Sequence, residues 1–184
     1  MSTGPQIILL RGINVGSANR IAMPELRAAL ADAGYEDVRT YVQSGNIVAS
    51  HAASPAGLAA DCRRLIAERF GLDVAVIVRS REQLARVVAH NPFPEAAERD
   101  PKHYQVTFLS GPADLAAAQA LAALATDTER FTAHGQELYG WHPGGIHNSK
   151  LANKLTPKAL GVESATARNW TTVTTLLEMA SDAD

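Results

Sequence analysis

One order of segments occurs twice along this chain, and that repetition limits the folds open to it. Residues 6–10 (QIILL) form an apolar run suited to a buried strand. Residues 24–33 then suit a helix, with Pro24 in its first turn and Gly34 just beyond its end. DVRTYVQSGNIVAS reads as two β-rich runs hinged at Ser44-Gly45-Asn46, a hairpin signal. Ser54-Pro55 opens a second helix to Phe70 with Gly71 as its stop, and residues 73–78 (DVAVIV) are a continuous apolar strand. Ser80 with Gln83 resembles a capping box and starts a helix reaching His90.

After Asn91-Pro92-Phe93-Pro94 and the charged EAAERDPK, the order returns. Residues 103–110 read as a strand, ADLAAAQALAALA as a helix, and ERFTAHGQELYGW as a hairpin turning near Gly135-Gln136. Residues 149–160 are helical in tendency with a break at Pro157, residues 163–168 are extended, and a last helix opens at Asn169 in the cap position. In each half the last helix starts one residue after an arginine, Arg79 or Arg168. The expected fold class is therefore α/β (α+β): two ferredoxin-like β-α-β-β-α-β units related by duplication, with extra helices. The expected division is residues 1–91, a linker at 92–102, and residues 103–184, with one compact domain overall as the alternative.

The 184 residues suffice for a substantial core, and 46% hydrophobic against 20% charged is the balance of an ordinary folded protein. The net charge of -2 gives no global attraction to nucleic acid or anionic membrane. Arg11 ends the first apolar run long before a membrane span forms, and a cytoplasmic protein is the default expectation. Cys62 is the single cysteine, so no intrachain disulfide forms. It lies on the apolar side of a helical pattern with Leu58, Leu65 and Ile66, where it reads as a small core residue.

Several enzyme signatures are missing. GINVGSANR is not a phosphate-binding P-loop, no G-x-G-x-x-G follows the first strand, and G-x-S-x-G, H-E-x-x-H and cysteine pairs are absent. His142 and His147 lie close together in a glycine-rich loop without a neighbouring carboxylate or thiol, so neither a metal nor a cofactor is expected.

Four polar clusters fall where strands end or helices begin. They are Arg11, Gly12, Asn14 and Gly16; Gln43, Ser44, Gly45 and Asn46; His147, Asn148, Ser149 and Lys150; and Thr166, Arg168, Asn169 and Trp170. Arginine offers a planar fork to carboxylate or phosphate, and unpaired backbone N–H groups add partial positive charge. Residues 141–170 carry Lys150, Lys154, Lys158 and Arg168 against Glu163, a local balance of +3. Each cluster also has a structural reading: turn glycines, hairpin chemistry, N-caps at Asn148 and Asn169, and core packing for Trp170. Arg11 stands apart, because an arginine directly after a buried strand needs a partner.

The clusters suggest a site for a phosphate-bearing or otherwise anionic small molecule, lined by Arg11, Gly12, Asn14, Ser44, Asn46, Asn148, Ser149, Lys150, Arg168 and Asn169. Arg11 and Arg168 would clamp the anion and Lys150 would add a point charge. Ser44, Ser149 and Lys150 are the only members suited to nucleophilic or proton-transfer work, and no base is assignable beside them. Single-stranded nucleic-acid binding is the weaker alternative, given 5% aromatic residues and the acidic net charge. A protein-interaction or scaffold domain is the third reading. The sequence assigns no oligomeric state.

LLRGINVG, MPELRAAL, VRTYVQSGN, NPFP before VTFL, NSKL and T-A-R-N-W occur in an order that resembles the bacterial family catalogued as domain of unknown function 1697. The similarity runs from Ile7 to Glu178, departing at Thr166-Ala167-Arg168, where the family carries a second threonine before the arginine. The resemblance implies an α/β fold of ferredoxin-like units and a bacterial cytoplasmic protein. It brings no established reaction, cofactor or catalytic residue with it.

Overall fold

A computed structural model describes residues 4–182. The chain divides into two compact units, one of residues 4–86 with 175–182, the other Val87–Thr174. Each contains a four-stranded antiparallel sheet built in the same order, so the duplication read from the sequence is present in the fold.

In the first unit β1 (Gln6–Leu10), α1 (Met23–Asp32), β2 (Glu36–Tyr41), β3 (Asn46–Ser50), α2 (Pro55–Phe70) and β4 (Val76–Ser80) follow one another. The sheet order is β2-β3-β1-β4, which puts the most apolar strand, QIILL, at an interior position with both faces buried. Ile8 lies opposite Ile47 and Val78, and this face packs with Leu26, Leu30, Leu58, Cys62 and Ile66 of the helices. The spacing of Leu58, Cys62 and Ile66 every four residues forms the stripe that α2 buries, each large side chain contributing about 2 kcal/mol. Ser54 Oγ accepts from Gly57 N–H at its start, and Gly71 closes it in the left-handed region at φ 67°. The opposite face, with Ile7, Leu9, Val48 and Ile77, is buried as well.

The fourth strand differs from expectation: it runs Val76–Ser80, not 73–78. Hydrophobicity begins at residue 74, but pairing with the five residues of β1, from Leu10↔Val76 to Gln6↔Ser80, fixes where the ladder lies. Ser80 then exchanges both capping-box hydrogen bonds with Gln83, 2.8 and 3.1 Å, and opens α3 (Arg81–His90).

Within the segment read as a linker, Pro94–Arg99 forms a helix, α4, with Pro94 in its first turn and a Glu95 to Arg99 pair one turn apart. The charged residues that suggested a link are its solvated side. The second unit then continues with β5 (Tyr104–Leu109), α5 (Leu115–Ala122), β6 (Arg130–His134), β7 (Glu137–Trp141), α6 (Lys150–Lys154), α7 (Pro157–Leu160), β8 (Ala165–Asn169) and the start of α8 (Trp170–Ser181), whose residues from Thr175 onward belong to the first unit. Its sheet order is β6-β7-β5-β8, and the weakly patterned segment before α8 is a true strand, paired with β5 from Leu109↔Ala165 to Gln105↔Asn169. No helix among the described residues is long and apolar enough to cross a membrane.

Candidate functional site

In the first unit, β1 runs into a loop that folds back on itself. Asn14, at φ 54°, donates through Nδ2 to the carbonyls of Ile21 (2.9 Å) and Gln43 (2.8 Å) and accepts from Ile21 N–H (2.9 Å). Asn19 Nδ2 donates to Gly12 O at 3.1 Å, and Asn14 N–H donates to Asn19 O at 3.0 Å. Two asparagines thus close the loop, and the bond to Gln43 ties it to the turn between β2 and β3. That turn is fixed from below: Asn46 is fully buried and donates to Tyr41 O and Ser44 Oγ, and Leu10 N–H donates to Gly45 O. Gly45 sits so near β1 that an added Cβ would lie 2.6 Å from Leu10 Cβ.

Arg11, Gly12, Asn14, Ser44 and Asn46 therefore gather at one end of the first sheet, as the sequence suggested. Their roles differ. The amides of Asn14 and Asn46 are engaged in shaping the loops, whereas Arg11 and Ser44 are exposed. Contrary to the expectation that it needs a partner, Arg11 has none for its side chain: its backbone N–H donates to Ala75 O, but its guanidinium stands in solvent and engages no hydrogen bond or ion pair among the described residues. Arg20 is exposed on the same loop. Val42 sits in the turn at φ 49°, unusual for a β-branched residue, and is 55% exposed.

The other five candidates belong to the second unit, in two separate places. Asn148, Ser149 and Lys150 lead into α6 beyond β7, while Arg168 and Asn169 end β8, and β7 and β8 flank β5 on opposite sides. Asn148 Nδ2 donates to Gly144 O, and Ser149, not Asn148, caps α6 by accepting from Ala152 N–H at 3.0 Å. Asn169 caps α8 through Thr172 N–H, and Trp170 is buried, stacked on Tyr104 at 4.8 Å. The Arg168 guanidinium donates to Thr166 Oγ1 (2.7 Å) and Ala167 O (2.8 Å), and burial pushes its pKa down to about 10. Lys150 is exposed.

Ser149 also hydrogen-bonds Glu129, a buried carboxylate that nothing in its neighbouring residues singles out. Glu129 further holds His142 Nδ1 at 2.8 Å and accepts from Thr126 N–H at 2.9 Å. Burial works against its charge, yet the Ser149 hydroxyl, the Thr126 N–H and His142 together hold its pKa below the ordinary glutamate value. Its bonds to Ser149 and His142 make this cluster a structural clasp, with the Ser149 hydroxyl engaged by both Glu129 and Ala152 N–H. Asp100 and His103, three residues apart, form a second carboxylate–imidazole pair, marked out only by Trp141, which reaches Asp100 from far along the chain.

The fold is similar to that of the conserved bacterial protein SP0830 from Streptococcus pneumoniae, with a TM-score of 0.74 at 23% identity over 96% of this chain and 98% of that one. No curated protein matches the chain. Residues 4–139 match the family described as Protein of unknown function (DUF1697), the one the motifs resemble, and the chain belongs to that family.

Proposed function

We propose that this protein binds a phosphate-bearing or otherwise anionic small molecule at the loop of residues 11–20 and the adjoining turn of residues 42–45. The observation that carries the reading is Arg11: a solvent-facing guanidinium on a loop whose backbone is already fixed by Asn14 and Asn19. A rigid loop loses little entropy when a ligand docks, and the guanidinium fork matches phosphate or carboxylate oxygens. Arg20 adds a second cation and Ser44 a hydroxyl, while Asn14 and Asn46 act by holding the loops. The site carries no assigned reaction. In this reading the protein acts in the cytoplasm, where a single buried thiol is ordinary.

Thermal unfolding against nucleotides, sugar phosphates, organic acids and inorganic phosphate tests this. A ligand at 100 times its dissociation constant adds about 2.7 kcal/mol to stability. The shift is expected for the parent protein and lost in Arg11→Ala, whose own midpoint stays near the parent's because the side chain is exposed. No shift with any probe contradicts the proposal.

A further inference from the structure

We infer that Asp100 and His103 form an acid–base dyad in which His103 Nε2 takes a proton from water attacking an acyl ester. The pair stands in the turn before β5, in the second unit, and does not depend on the anion site. Asp100 Oδ1 lies 2.8 Å from His103 Nδ1, and Asp100 Oδ2 accepts from Trp141 Nε1 at 3.0 Å. The carboxylate is thus held at both oxygens, and it keeps the proton of a neutral imidazole on Nδ1. Backbone bonds fix the rest: His103 N–H donates to Asp100 O, and His142 N–H donates to His103 O. The imidazole is 45% exposed and the carboxylate 27%, and Nε2 has no protein partner among the described residues.

The contrast with Glu129 and His142 sharpens the assignment. That pair has side chains only 5% and 2% exposed and is locked between strand, loop and helix cap, so it serves the fold. The Asp100–His103 pair has the same orientation of imidazole by carboxylate but presents the second nitrogen outward. No serine, threonine or cysteine hydrogen-bonds His103, so the group to be deprotonated comes from solvent or ligand. The half-buried Trp141 indole stands beside the dyad through its bond to Asp100, and an acyl group reaching Nε2 would meet this aromatic neighbour. In the step, water oxygen bonds to the ester carbonyl carbon as Nε2 takes its proton. The C–O bond to the leaving group then breaks and the proton passes to that oxygen, giving acid and alcohol and restoring the imidazole.

The test uses the full chain with p-nitrophenyl acetate, comparing parent, Asp100→Asn and His103→Asn, the last chosen because an amide N–H can replace Nδ1–H toward Asp100. Both variants should hydrolyse the ester roughly tenfold more slowly or worse while keeping the parent's circular dichroism, and the parent should slow in heavy water. Nitrogen NMR of the His103 ring should show Nε2 unprotonated in the neutral form. Equal rates in parent and His103→Asn, an Nε2–H tautomer, or an acetyl group trapped on His103 would each overturn the assignment.

Discussion

Arg79 and Arg168 occupy the same position in the two copies of the sheet. Each is the fourth residue of its sheet's last strand, each lies opposite a central apolar residue (Ile7 or Val106), and each donates from a terminal nitrogen to the carbonyl of the preceding residue, at 3.1 and 2.8 Å. A helix follows at once in both. The duplication thus extends from element order to side-chain register, although the two strands, VIVRS and ATARN, share only the arginine.

Asn14 is expected to act on stability and not on ligand contact. Asn14→Ala removes three side-chain hydrogen bonds and places alanine at φ 54°, so urea unfolding should show a loss of about 2–3 kcal/mol. Asn14→Gly, which relieves the backbone term, should recover about 1 kcal/mol of this. Equal stability of both variants and the parent would show that the loop is not held by this amide.

Gly45 and Gly12 separate crowding from backbone strain. Both have positive φ, 81° and 67°, but a Cβ at Gly45 meets Leu10 and Ile13 while one at Gly12 meets nothing within 4 Å. Gly12→Ala should cost about 1 kcal/mol. Gly45→Ala should cost about 2 kcal/mol more, since β1 must shift to admit the methyl group. Chemical denaturation of the two variants side by side gives the difference directly.

Glu129 makes stability depend on acid. Its folded-state pKa lies below the unfolded value, so the unfolded chain binds the proton more readily, and the contribution is present above the ordinary glutamate range. It is lost as pH falls through the folded value. Glu129→Gln should flatten the acid limb of the stability curve, and Ser149→Ala should move that limb toward higher pH by removing one donor to the carboxylate. An unchanged acid limb in Glu129→Gln would refute the clasp.

Cys62 should be unreactive while the protein is folded. It is fully buried against the first core and burial pushes the thiol up to about 12, so the thiolate is scarce and inaccessible. Labelling by a thiol reagent at neutral pH should proceed at the unfolding rate. Rapid labelling of the native protein would contradict the packing of α2.

Much of the fold was legible because local signals agreed with it. Ser54 and Gly71 bracket α2, the Ser80 and Gln83 exchange starts α3, and Gly45 turns the first hairpin. Two boundaries were not legible, for opposite reasons. The position of β4 is set by its partner strand, and α4 hides in a charged stretch where the helical pairing of Glu95 with Arg99 has the same composition as a linker. Site residues were harder still. Residue type located the Arg11 loop and the hairpin turn but did not say that Asn14 and Asn46 point their amides into the scaffold. Glu129 and Asp100 gain meaning only through His142, Ser149 and Trp141, which the chain brings to them by tertiary folding.

The most direct test of the anion site is a titration of the isotopically labelled protein with inorganic phosphate and with a nucleoside monophosphate, followed by amide NMR. Saturable shifts confined to residues 11–20 and 42–45, and abolished in Arg11→Ala, are the expected result. Shifts elsewhere in the chain, or none with either probe, would contradict an anion site there.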